Sequence, residues 1–114
     1  MPIPLNAEML AHCYDMLAAT PCMAKLNLPP SEDIKFRIIR RKDRFAHHEV
    51  IGGVHHIAVS SRFVGTFETL VPTMCHEMLH IFQDINDLPR DDGAGFQRLA
   101  DKICRELHFD RLIF

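Results

Sequence analysis

The sequence predicts an α+β domain: an N-terminal helix, a small three-stranded sheet with a hairpin, a His-Glu-x-x-His helix and a C-terminal helix. Three observations predict it. Apolar residues recur at helical spacing near both ends of the chain and again from about residue 71 to 85. Ile34 to Arg41 alternates apolar and basic residues, as a half-buried strand does. Gly52-Gly53 joins two β-like runs, FAHHEVI and VHHIAVS. A two-glycine linker favours a hairpin because the primed turns need positive φ.

Asn6 reads as an N-cap, with Glu8 favourable in the first turn. Met9, Leu10, Cys13, Met16 and Leu17 then mark a helix from Ala7 to Ala19, ended at Thr20-Pro21. His12 falls off its apolar stripe and reads as solvated. Pro29-Pro30-Ser31 is a rigid loop. In the strand that follows, Ile34, Phe36 and Ile38 share one face. The hairpin register sets Ile51 against Val54, Val50 against His55, Glu49 against His56 and His48 against Ile57. Ala46, Val50, Ile57 and Val59 then form the core face, with His48 and His55 on the same side and able to approach the His-Glu-x-x-His helix. Glu49 and His56 oppose each other on the other face, where a charge-assisted pair is expected. Pro72 is most comfortable in a first turn, so the central helix is expected to begin near Val71. Phe96, Leu99, Ala100, Ile103, Cys104 and Leu107 make the stripe of the last helix, and the terminal RLIF packs back on the body.

Composition narrows the function classes. At 114 residues the chain, 1–114, fits one compact domain. A net charge of −2 gives no global argument for nucleic acid or an anionic membrane. The N-terminus lacks the basic and apolar regions of a signal peptide, and no apolar run reaches a membrane span, so a cytoplasmic protein is expected. Cys13, Cys22, Cys75 and Cys104 form no CxxC pair and read as buried free thiols in a reducing compartment. Lys35, Arg37, Arg40, Arg41 and Arg44 form a local basic cluster. It reads as a solvated strand face, with a weak DNA contact as its functional alternative.

The chemistry sits in His76-Glu77-Met78-Leu79-His80. Residues four apart on a helix share a face, so both imidazoles can reach one metal ion. Glu77 lies at the rim of that face, where such a glutamate serves as general base in zinc hydrolases. Met74, Cys75, Met78, Leu79, Phe82 and Ile85 make the helix apolar on most sides. Two histidines and a glutamate there would be costly to desolvate without a partner, and a metal ion is one. A catalytic zinc needs a third protein ligand and an open position.

In this layout, and most specifically in ETLVPTMCHEMLH and DGAGFQRLADKI, the chain resembles the SprT-like zincin domain, the protease domain of Spartan-type enzymes. The resemblance covers nearly the whole chain. It implies a zincin-like fold, a Zn2+ cofactor and a metalloprotease acting on a protein or peptide substrate, extended along an edge strand of the hairpin. In the family the second segment reads His-Gly-x-x-Phe/Trp, and its His is the third ligand. Gly93 and Phe96 match, and the ligand position falls on Asp92. The resemblance therefore implies a site of His76, His80 and Asp92 with Glu77 as base. Asp92 also reads as an N-cap or turn residue, and Asp91 is the alternative ligand. His55, Arg90 and His108 are unranked candidates for the oxyanion donor. Family members often add a DNA-binding segment after this domain; the chain ends at Phe114 without one, which weakens the expectation of DNA-associated substrates. A zinc-binding interaction module with little or no turnover is the competing function.

Overall fold

Residues 5–89 and 91–114 are described by the computed structural model. The first helix, α1 (Ala7–Ala18), starts where Asn6 Oδ1 accepts from the Met9 N–H. It ends one residue before the predicted boundary. Thr20-Pro21 does not stop the chain from turning again: Pro21 opens a short helix, α2 (Pro21–Ala24). Proline at a first helical position loses no bond, since that N–H has no partner within the helix.

Three strands follow. They are β1 (Ile34–Ile39), β2 (Ala46–Ile51) and β3 (Val54–Ser60), in the order β1-β3-β2. β3 is central, parallel to β1 and antiparallel to β2. The Gly52-Gly53 turn adopts the positive φ it was expected to need, 58° and 78°. It fixes the hairpin register as predicted, from Ile51 with Val54 to His48 with Ile57. One sheet face carries Ile34, Phe36 and Ile38 beside Ile57 and Val59, with Ala46, His48 and Val50 on the third strand. β1 stops at Ile39 rather than Arg41 because its partner strand ends opposite, at Ser60.

The expected Glu49–His56 pair does not form as such. The two residues oppose each other in the ladder, but the Glu49 carboxylate accepts from Arg37 at 2.8 Å and lies 3.7 Å from His47. Ala58, the β3 residue between Arg37 and His47, has no bulk to keep the guanidinium away.

The central helix, α3 (Phe67–Ile85), begins four residues before the expected start. Thr66 is its N-cap, and Thr66 and Thr69 each accept from the other's backbone N–H. This reciprocal cap holds the first turn, so Pro72 can sit inside the helix at the loss of a single backbone bond. The last helix, α4 (Ala94–Leu107), starts at Gly93 and is closed by His108 in the left-handed conformation.

Most of the buried apolar side chains among the described residues form one cluster. Leu10, Tyr14 and Leu17 of α1 pack with Leu70, Met74, Met78 and Leu79 of α3, with Ile57 and Val59 of the sheet, and with Phe96 and Ala100 of α4. All four cysteines are free and buried, and burial pushes the Cys13 thiol up to about 12. Among the described residues no helix is long and apolar enough to cross a membrane.

Candidate metal centre

α3 is buried against the sheet, α1 and α4, and His76, Glu77 and His80 lie where it meets the edge of the sheet. The chain delivers Asp92 to the same place on the loop before α4. Asp92 Oδ1 lies 3.2 Å from His80 Nε2 and 3.8 Å from His76 Nε2, and the three donor atoms fall within 4.8 Å of one another. A tetrahedral zinc with bonds of about 2.0–2.2 Å sets its ligand atoms roughly 3.3–3.5 Å apart. The two separations to Asp92 lie near that spacing, and the three atoms are grouped so that they could hold one ion.

Each imidazole is oriented from behind. His76 Nδ1 meets the Phe114 main-chain oxygen at 3.2 Å, and His80 Nδ1 meets Gln83 Oε1 at 2.7 Å. Both partners are acceptors, so each Nδ1 carries a proton, and the Nε2 atoms are the ones that face Asp92. Phe96 lies against both rings, with centroids 4.8 and 4.7 Å away. Burial, and then the neighbouring His80, push His76 below the ordinary histidine value, which keeps it neutral and able to ligate.

Asp91 has a different place. Its Oδ1 accepts from the Gly93 N–H at 3.0 Å, and a Cβ at Gly93 would stand 2.9 Å from that oxygen. The turn takes up the Asp91 carboxylate, which a side chain at 93 would displace, while Asp92 points to the histidines. Gly93, not Asp92, is the N-cap.

Glu77 is buried beside the cluster. Burial, with the Asp92 charge second, raises its carboxyl from the ordinary 4.5 to about 8. A cleft of about 520 Å³ opens in front, lined by His76, Glu77, His80 and Asp92 on one side. The other side is Ala46 to Val50 without a gap. Successive strand residues point to opposite faces, so five in a row can line one cleft only if it runs along the outer edge of β2.

The remaining sequence candidates lie elsewhere. His55 is behind the cleft wall, bonded through Nδ1 to His48 Nε2 at 2.9 Å and 3.9 Å from Asp84. His48 itself lines the cleft. His108 is exposed at the end of α4 and lines neither this cleft nor its neighbour. Arg90 lies outside the described residues. In the basic cluster, Arg37 is paired with Glu49, and Arg41 and Arg44 with Asp43.

The chain has no match among protein-family models, curated proteins or solved structures.

Gln83 is the site residue that sequence reasoning missed. Its side chain is buried, its Oε1 meets His80, and its Nε2 donates to the Asp91 carbonyl at 3.0 Å. One amide thus ties His80 to the loop that carries Asp92. Its position three residues after His80, on the same helix face, was the available signal.

Two outcomes follow from this geometry. Gln83→Leu should weaken zinc binding by about 10–100-fold, read by competition with a chromophoric chelator; unchanged affinity would mean the amide does not orient the site. In chelator-stripped protein, ionising Glu77 opposes folding, because its folded value of about 8 lies above the ordinary 4.5. Wild type should therefore lose stability relative to Glu77→Gln as pH rises through that window. The gap should be absent well below pH 4.5, complete above about pH 8 and on the order of a few kcal/mol, read from urea midpoints across pH. A gap independent of pH would contradict the burial argument.

Proposed function

We propose that the protein is a zincin-like zinc metallopeptidase, with His76, His80 and Asp92 as ligands and Glu77 as general base. The convergence of His76 Nε2, His80 Nε2 and Asp92 Oδ1 beside a buried glutamate carries the reading. The same two-imidazole, one-carboxylate donor set also suits iron(II). Glu77, buried beside the cluster and lining the cleft, favours hydrolysis over redox chemistry, because once a bound cation's charge favours its ionised form it can accept a proton from a water.

A zinc ion held there would supply Lewis acidity, toward a water and toward the scissile carbonyl. The residues of the chain account for the rest. Glu77 takes a proton from the water that attacks the carbonyl carbon and delivers it to the departing amine nitrogen. The outer edge of β2 offers backbone donors and acceptors to an extended peptide, which fixes the substrate by strand addition. Asp92 in place of a neutral third ligand makes the donor set one charge more negative. That favours retention of the ion and lowers its acidity, so turnover is expected to be slow or to need alkaline pH.

The substrate reading is a protein or peptide, in the cytoplasm, where four free buried thiols are at home. Support for a DNA-associated substrate is thinner than the basic cluster suggests, because three of its five cations are engaged by Glu49 or Asp43.

The test is peptidase activity of zinc-loaded wild type beside Glu77→Gln, with zinc content measured on both. Glu77→Gln should keep its zinc and lose about a hundredfold or more of the activity. Activity unchanged in Glu77→Gln would remove the mechanism. Zinc bound by wild type with no turnover of any peptide would favour the interaction-module reading.

A further inference from the structure

The wall that faces the metal ligands runs from Ala46 to Val50, and His48 is its middle residue. Among the described residues no lysine or arginine lines this cleft, whereas Glu49, Glu77 and Asp92 do. Water adding to a peptide carbonyl leaves a negative charge on the carbonyl oxygen, and preorganised N–H donors stabilise that charge. On the far wall only imidazoles can supply one from a side chain. His47 is turned to Glu49, 3.7 Å away, and burial pushes it below the ordinary histidine value. His48 is held in another way.

The hairpin register puts His48 opposite Ile57 and His55 opposite Val50, so the two histidines lie diagonally on one face of neighbouring strands. Their rings stack with centroids 5.1 Å apart, and His48 Nε2 meets His55 Nδ1 at 2.9 Å. His55 Nε2 lies 3.9 Å from the carboxylate of Asp84, which α3 presents one turn after His80. A carboxylate draws a ring proton to the nitrogen that faces it. With one proton beyond two neutral rings, His55 carries N–H on both nitrogens. One then faces Asp84, which offsets the charge, and the other donates to His48 Nε2. His48 holds its own proton on Nδ1, the nitrogen that the His55 contact does not use.

We propose that His48 is a second catalytic residue, the side-chain donor to the oxyanion, with His55 and Asp84 as positioning residues; this rests on the peptidase reading of the same cleft. As the water oxygen bonds to the carbonyl carbon, the π pair moves onto the carbonyl oxygen, which accepts the His48 N–H. As the C–N bond breaks, that pair returns and His48 keeps its proton. Glu77 alone carries the water's proton to the departing amine. His55 and Asp84 do not line the cleft, so they act through His48, as the third member of a catalytic triad acts through its histidine.

The experiment offers zinc-loaded full-length protein a digest of casein, finds cut sites by mass spectrometry and follows one cleaved peptide by steady-state kinetics. His48→Ala should lower kcat about 100-fold or more, with KM and zinc content near the wild-type values. His48→Gln keeps an N–H donor without the charge; it should lose less, and it tests the same point if His48→Ala folds poorly. Added imidazole should restore part of the rate of His48→Ala and none of that of Glu77→Gln, a rescue that a packing role would not give. His55→Asn can still bond His48 through its amide and should keep more kcat than His55→Leu. An unchanged kcat in His48→Ala would overturn the assignment and leave the peptidase reading standing. A raised KM with kcat intact would make His48 a ground-state binding residue and overturn the oxyanion role. No cleavage of any casein peptide by wild type would overturn the peptidase reading and the assignment with it.

Discussion

Two imidazoles one turn apart on a buried helix, facing one carboxylate, are the constraint on which the rest of the structure depends. α3 buries Leu70, Met74, Met78, Leu79 and Ile81 completely, and its apolar surface organises the core. The same helix must desolvate His76, Glu77 and His80. Removing polar groups from water without partners costs a few kcal/mol each. The fold offsets that cost with a second set of contacts: the Phe114 oxygen for His76, Gln83 for His80 and the Phe96 ring beneath both. These partners come from the helix itself, from α4 and from the chain beyond it. The last helix and the terminal segment thus complete the site as well as the core.

The loop between α3 and α4 obeys the same logic. Asp91 and Asp92 are adjacent acids with separate tasks. Asp91 closes the turn onto the Gly93 N–H, and its carbonyl accepts from Gln83. That arrangement leaves Asp92 as the carboxylate nearest the histidines. On the opposite wall, β2 is an edge strand because β3 takes the central place. A cleft between the edge of a sheet and a polar patch on a helix is a shape that receives an extended chain.

Much of this was legible in the sequence, and the reasons differ by element. The hairpin was readable because Gly52 and Gly53 fix a turn, and the turn fixes every pair up the ladder. His76 and His80 were readable because helical spacing alone puts them on one face. The start of α3 was misplaced because Pro72 is a loud signal, while the Thr66–Thr69 cap that outweighs it is a quiet one. α2 is hidden in the sequence because Thr20-Pro21 reads as a stop, whereas Pro21 is a first helical residue. Gln83 needed knowledge of where the Asp91 carbonyl would arrive, and that is tertiary. The Glu49 partnership failed for a related reason: Arg37 reaches it across β3, two strands away.

A three-ligand metal centre fixes how much metal each variant can hold, so stoichiometry is the deciding measurement. Zinc would be measured in purified wild type, His76→Ala and Asp92→Ala after equilibration with zinc and removal of the excess. Wild type should hold about one zinc per chain, His76→Ala none and Asp92→Ala a reduced fraction. Wild type that takes up no zinc would contradict a three-ligand centre, and full retention in Asp92→Ala would place the third ligand elsewhere.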